Sequence, residues 1–238
     1  MQRIVEAEWL DGLPALDPKA RGSRRDLRVL NYWMGNAGIV ARSLNSVSVE
    51  HAAKRLIEIG AGDGHFMLRV ARQLGPGWGS KNAVLVDRQN AVSGDTLKGF
   101  AALGWGVESV QADVFEWMQR PAALAGDIVV ANLFAHHFDD GQLAALFCKI
   151  AKAAGCFIAL EPQRSLWSLS FSLLVGVLGC NRVTRHDAPI SVRAGFAGND
   201  LSRLWPETPE WRRVERRAGP FSHLFIASRG SVRLDQTD

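Results

Sequence analysis

The sequence predicts an α/β fold, a doubly wound and mostly parallel sheet of seven strands. Three observations lead there. Four apolar runs each end in a polar residue and lead through a turn into a helical pattern. The first is followed by the glycine-rich turn Gly60-Ala61-Gly62-Asp63-Gly64. The end of the chain carries two adjacent apolar–polar alternations around Ala218-Gly219-Pro220, a pair of antiparallel strands.

Residues 1–50 read as an N-terminal helical cap and 51–238 as the sheet domain. Asp17-Pro18 and Arg21-Gly22-Ser23 are breakers, so a first helix is placed over Asp26–Met34. Gly35-Asn36 punctuates it before a second helix, Ala37–Leu44. Strands are expected at 55–59, 82–87, 107–111, 127–132 and 156–160, and the terminal pair at 211–217 and 222–228. Between the first two strands, apolar residues at 66, 67, 70, 71 and 74 have helix spacing, and Gly75-Pro76-Gly77 ends that helix. Gln142–Ala153 carries Leu143, Leu146, Phe147 and Ile150 on one stripe.

A lid insertion is expected at about 163–205. Its Ser165–Asn181 stretch has 17 residues without a charge, but four serines, two glycines and an asparagine dilute it. A spanning helix needs ~20 apolar residues, so an internal helix or an apolar lid is expected and no transmembrane span. Arg182–Pro189 reads as a polar loop, Ser191–Phe196 as a second loop, and Asn199–Leu204 as a short helix.

The polar strand ends lie along one edge of the sheet, where open α/β folds bind ligands. Glycines at 60, 62 and 64 let backbone approach a ligand that a Cβ would block. The spacing is G-x-G-x-G, not the G-x-G-x-x-G of a pyrophosphate site. Glu58, in the strand just before the glycines, repels a pyrophosphate and suits a cation. S-adenosylmethionine (SAM), with sulfonium and ammonium groups, is such a ligand. Asp87 closes the second strand 25 residues after Gly62, where an acid accepts hydrogen bonds from ribose hydroxyls. Asp113 follows the third strand, and Asn132 ends the fourth.

This ordered set resembles the class I SAM-dependent methyltransferases over roughly residues 54–228. The resemblance implies a Rossmann-like sheet and SAM as cofactor, with S-adenosylhomocysteine (SAH) as product. Glu58, Gly60, Ala61, Gly62 and Gly64 would hold the methionine end. Asp87, with Arg88 beside it, would hold the ribose, and Asp113 with Val114 the adenine. Asn132 would lie beneath the methionine moiety.

Methyl transfer needs an oriented acceptor and, for a phenol-like hydroxyl of pKa ~10, a proton acceptor. His136 and His137, two of the six histidines, fall just beyond the fourth strand. His137 is the first candidate base, His136 the second, and His186 a third. His186 lies beside Asp187 and, with Arg185, is suited to orienting an anionic or hydroxylated acceptor. Tyr32 and Trp33 either pack on the sheet edge or reach the substrate from the cap. The Asp/Asn-Pro-Pro-aromatic signature of base amine methylation is absent from Asn132-Leu133-Phe134, and neither Cys148 nor Cys156 has a Pro-Cys setting. A small-molecule acceptor is therefore favoured.

Asn132-Leu133-Phe134-Ala135-His136-His137-Phe138-Asp139-Asp140 and Arg182–Arg193 also resemble bacterial methyltransferases encoded near type III polyketide synthases. That likeness implies a phenolic or enolic polyketide hydroxyl as acceptor. Glu161-Pro162 departs from that group's pattern.

The net charge is +4, yet the arginines are scattered, and the group at 212–217 suits an exposed strand. No nucleic-acid partner is expected, although an RNA or protein methyltransferase stays the first alternative. A nicotinamide-dependent oxidoreductase is the second, and a SAM-binding protein without activity the third. The three cysteines show no metal spacing, so no metal is expected and the thiols read as reduced. The first residues lack a basic region followed by an apolar core, which points to a cytoplasmic protein. Both a monomer and a homodimer fit.

Overall fold

Five strands pair in parallel and two antiparallel, in the spatial order β3-β2-β1-β4-β5-β7-β6. The computed structural model describes residues 1–47, 55–75, 78, 81–119 and 127–229. Its strands are β1 (Arg55–Ile59), β2 (Asn82–Asp87), β3 (Gly106–Gln111), β4 (Ile128–Asn132), β5 (Cys156–Pro162), β6 (Arg212–Ala218) and β7 (Ser222–Ser228). Helices α1 (Pro18–Trp33) and α2 (Asn36–Ser46) precede the sheet. Then come α3 (His65–Gln73), α4 (Gly94–Ala102), α5 (Val114–Trp117), α6 (Asp140–Ala153), α7 (Leu166–Leu173), α8 (Arg182–Ala194) and α9 (Asp200–Leu204). The proposed boundary near residue 50 and the helix stop at Pro76-Gly77 lie outside the described residues.

Side chains alternate across each strand, so the sheet has two apolar faces. Leu56, Val40, Leu44, Met67 and Phe100 fill one layer beneath α2, α3 and α4. Ile57, Ile59, Phe147, Phe157, Trp205 and Phe225 fill the other against α6 and α9. β6 is the outer edge, and its exposed arginines blunt the open hydrogen-bonding row.

Three expectations are corrected. Asp17-Pro18 starts a helix instead of breaking one. Asp17 caps α1 by accepting from Lys19 N at 2.7 Å, and Pro18 takes the first position, where a missing N–H costs nothing. Gly22 sits inside that helix because a Cβ there would stand 2.8 Å from Asn181 Nδ2.

The polar loops at 182–196 are instead one helix, α8. Asn181 caps it by accepting from Thr184 N at 2.9 Å. Val183, Asp187, Ile190 and Ala194 form its buried stripe, a period hidden in the sequence by Asp187 and Pro189.

The segment 165–181 is not internal. Leu166, Trp167, Leu173, Leu174, Val177 and Leu178 are exposed, while the small Ser168 and Ser172 face inward. Among the described residues, no helix is long and apolar enough to cross a membrane.

Candidate active site at the carboxyl edge of the sheet

The strand order reverses between β1 and β4, and the glycine turn leaves β1 at that switch. Gly60 N and Ala61 N both donate to Val86 O, at 2.9 and 3.1 Å, which folds the turn over the end of β2. Gly60, Gly62 and Gly64 all have positive φ (71°, 54° and 72°), but their surroundings differ. A Cβ on Gly60 would lie 2.1 Å from the Phe134 ring, and one on Gly64 would lie 2.6 Å from Leu85. Those two glycines permit packing. Only at Gly62 would a Cβ meet nothing within 4 Å. Of the three, only Gly62 borders open space, while Gly60 and Gly64 make room for Phe134 and Leu85.

Around Gly62 stand three carboxyl groups. Asp87 Oδ2 accepts from Gly62 N at 2.8 Å, and its Oδ1 accepts from Gln89 N at 2.7 Å. Asp63 accepts from His65 N at 3.0 Å and pairs with Arg28 of α1 at 2.7 Å. Glu58 is 1% exposed, and its Oε2 has no hydrogen-bond partner. Burial pushes its carboxyl well above the usual range, and the charges of Asp63 and Asp87 push it further. A buried, unpartnered carboxyl oxygen within electrostatic reach of two other acids favours positive charge nearby.

The other stations are tied into the scaffold. Asp113 caps α5 by accepting from Phe115 N at 2.8 Å, with Val114 buried behind it. Arg88 is exposed, and its carbonyl accepts from Gln111 Nε2. Asn132 donates to Asn31 Oδ1 at 3.3 Å and accepts from Asn36 Nδ2 at 3.4 Å, which joins β4 to the α1–α2 junction.

Beyond Asn132 the chain turns sharply. Leu133 has φ 52°, a left-handed conformation that costs a branched side chain of order 1 kcal/mol or more. Glu161, wholly buried at the end of β5, holds the turn. Its carboxylate accepts from Phe134 N at 3.1 Å, Ala135 N at 2.8 Å and His136 Nδ1 at 2.8 Å. The turn thereby lays Phe134 over Gly60 and presents His136 and His137, whose rings are 4.2 Å apart.

The opposite wall is the N-terminal segment, which carries no motif. Arg3 donates to Phe138 O at 2.6 Å and pairs with Asp140. Glu8 Oε1 lies 3.3 Å from His136 Nε2 and accepts from Ser191 Oγ. Asp11 Oδ2 lies 3.1 Å from His137 Nδ1. Trp9 N and Leu10 N donate to the Asp187 carboxylate at 2.9 and 3.0 Å. The Trp9 ring stacks on His186 at 3.6 Å. Leu13 O accepts from Gln89 Nε2 at 3.0 Å, so one strap spans both halves of the edge.

These contacts sort the three histidines. Burial lowers the His136 pKa, but hydrogen bonds to Glu161 and Glu8 outweigh it and hold it up at about 9. Glu8 in turn falls to about 2, its burial outweighed by His136. Paired this way, His136 is an imidazolium at neutral pH with no lone pair for a proton, which removes it as a base. His186 has Nδ1 on Asp187 at 2.7 Å and a ring face under Trp9. His137 is half-buried, with Nδ1 on Asp11, which leaves Nε2 to receive a proton.

Tyr32, Trp33 and Arg185 are not gathered with them. Trp33 is 79% exposed. Tyr32 lies under the Arg69 guanidinium at 4.5 Å, in a cavity lined by Arg42, Arg69 and Gln73 that includes none of the histidines. Arg185 is exposed beside Gly176, where a Cβ would lie 2.9 Å from its Nε. Glu161, Glu8, Asp11 and Gln89 are the residues that sequence reasoning missed. Glu161 alone left a signal, an acid closing an otherwise apolar strand.

No protein-family model and no curated protein matches this sequence. Solved structures do. An O-methyltransferase family protein from Burkholderia thailandensis superposes with a TM-score of 0.57 at 16% identity, over 91% of this chain and 64% of that one. The mitomycin 7-O-methyltransferase MmcR gives 0.57 at 20% identity, over 92% and 61%. The SAM-dependent methyltransferase SibL gives 0.58 at 15%, over 96% and 64%. The fold is that of the Rossmann-like methyltransferases, and this chain spans a little under two thirds of the length of these structures.

Proposed function

We propose that the protein is a SAM-dependent O-methyltransferase acting on a hydroxyl group of a small phenolic or enolic molecule. The observation that carries the reading is the open face of Gly62, flanked by Asp63 and Asp87, with the buried, unpartnered Glu58 Oε2 in reach of both acids. A cationic cofactor satisfies those acids, whereas a pyrophosphate does not. Fold neighbours whose names describe O-methylation of small molecules, MmcR among them, support the acceptor class.

On this reading Glu58 and the Gly60–Gly64 turn hold the methionine end, Asp87 the ribose, and Asp113 with Val114 the adenine. Asn132 positions the turn below. When bound, SAM supplies an electrophilic methyl group. The chain's own work is orientation, exclusion of water and removal of one proton. His137, with Asp11 Oδ2 3.1 Å from its Nδ1, takes the proton of the hydroxyl as its oxygen becomes the nucleophile. The strap from Arg3 to Leu13 and helix α8 close this half of the edge to water.

Calorimetry with SAH tests the cofactor. The wild type is expected to bind SAH and to ignore NADH, and Gly62→Arg to lose SAH binding because the side chain fills the open face. Binding of NADH, or unchanged SAH affinity in Gly62→Arg, overturns the assignment.

A further inference from the structure

Glu8, His136 and His137 each offer a ligand atom, and the three atoms lie within 4.8 Å of one another. We propose that they form a binding site for a divalent transition-metal ion of the zinc class, which joins the N-terminal strap to the turn after β4. Two imidazoles and a carboxylate make up a donor set that suits Zn²⁺ or Co²⁺ better than Mg²⁺. Donor atoms ~2.0–2.2 Å from a tetrahedral zinc lie ~3.3–3.6 Å apart, so closure by roughly an ångström or slightly more completes the site. The exposed strap that carries Glu8 can supply that movement.

The surroundings are those of a metal site as well. Ligating histidines almost always give their other ring nitrogen to a carboxylate or carbonyl, which fixes the ring and the tautomer. His136 does so here, with Nδ1 on Glu161 at 2.8 Å. Asp11 Oδ2 lies 3.1 Å from His137 Nδ1, within ion-pair reach of that ring. Ser191 Oγ donates to the Glu8 carboxylate. His136 Nε2 faces Glu8 Oε1 at 3.3 Å, so an ion bound between them displaces the proton that they share. Three protein ligands leave a fourth position open.

This has a functional consequence, which rests on the methyltransferase reading. A metal on His137 occupies the lone pair needed for the hydroxyl proton and ties the strap down, so the ion silences the enzyme and a chelator restores it.

The test is titration of the full-length protein, stripped with chelator, first with Co²⁺ followed by visible absorption and then with Zn²⁺ by calorimetry. No SAM or acceptor is needed, so failure of the functional reading leaves the outcome untouched. One ion per chain is expected, with intense tetrahedral Co²⁺ bands. Glu8→Ala is expected to weaken binding at least tenfold, and Asp11→Asn by roughly 10–100-fold as an outer-shell change. His186→Ala, outside the set, should bind as the wild type does. Glu8 lies on the strap, outside the sheet core, so its variant is expected to fold, and circular dichroism checks this. Absence of binding, or equal affinity in the wild type and Glu8→Ala, overturns the site.

Discussion

The two halves of the sheet edge are built in opposite ways. At the β1–β2 end, backbone dominates. One turn of five residues, fixed by positive φ and two bonds to Val86 O, sets Gly62 against Asp87 at the end of β2. At the β4–β5 end, side chains from four distant stretches converge. Glu8 and Asp11 come from the strap, His136 and His137 from the turn, Glu161 from β5 and Ser191 from α8. The first half is a cradle that local geometry specifies. The second is a charge network that exists only once the tertiary fold has formed.

The largest effect is expected from Glu161→Ala. This carboxylate is wholly buried and serves three backbone N–H groups and the His136 ring. Its loss leaves a buried imidazolium half-paired and buried donors unsatisfied, a change of roughly 3–5 kcal/mol. Chemical denaturation at neutral pH measures it. A loss under 1 kcal/mol would mean that the network does not organise the turn. SAH affinity in protein that stays folded should change little if the two halves are independent.

His137→Ala is expected to leave stability and SAH binding near wild type while lowering turnover of a hydroxyl acceptor by roughly 10²–10⁴. Rates measured in chelator keep the metal question apart. Raising the pH toward the acceptor's own pKa should recover part of the loss, since an ionised acceptor needs no base. A rate unchanged at neutral pH transfers the proton to solvent and ends the role of His137.

Asp87→Ala moves to the cradle. It removes a charged acceptor at the ribose position and also the partner of Gly62 N. SAH affinity should fall by about 1.5–3 kcal/mol, the range for a hydrogen bond to a charged group. The acceptor's KM should stay close to wild type, and an effect confined to that KM would place Asp87 in the other half.

The contrast also explains what was legible beforehand. All seven strands were readable within two residues at each end, because the buried strands β1, β2, β4, β5 and β7 carry apolar runs and the exposed edge strands β3 and β6 lie next to them in a recognisable order. The cradle was readable for the same reason: its glycines and acids are neighbours in sequence. Even there the sequence does not distinguish Gly62, which faces open space, from Gly60 and Gly64, which make room for Phe134 and Leu85. That difference depends on what packs against each one. The charge network was half legible. The paired histidines stand out after β4, but nothing at Glu8 or Asp11 announces a partner more than a hundred residues away. Helix α8 was obscured because its buried stripe includes Asp187, whose carboxylate faces inward to hold Trp9 N and Leu10 N. Sequence periodicity counts an acid as exposed, and here a long-range contact overrides it.

The smallest effect is expected from Glu58→Gln, and its sign is the informative part. The folded-state pKa of Glu58 lies well above its unfolded value, chiefly through burial and then through Asp63 and Asp87. Between those two values the native state binds more protons than the unfolded state, so this residue makes stability fall as pH rises. Below the unfolded value there is no such penalty. Glu58→Gln removes the titration, so its stability profile should be flatter than that of the wild type from about pH 4.3 upward, and the variant should gain on the wild type as pH rises. The same substitution should weaken SAH, because the cation that satisfies Glu58 Oε2 loses a full negative charge. SAH binding to the wild type should also release protons, seen as a calorimetric enthalpy that changes with the buffer's ionisation enthalpy, and Glu58→Gln should abolish that release. Parallel stability profiles for the two proteins, together with equal SAH affinity, would make Glu58 a packing residue and leave the cradle without the charge that selects its ligand.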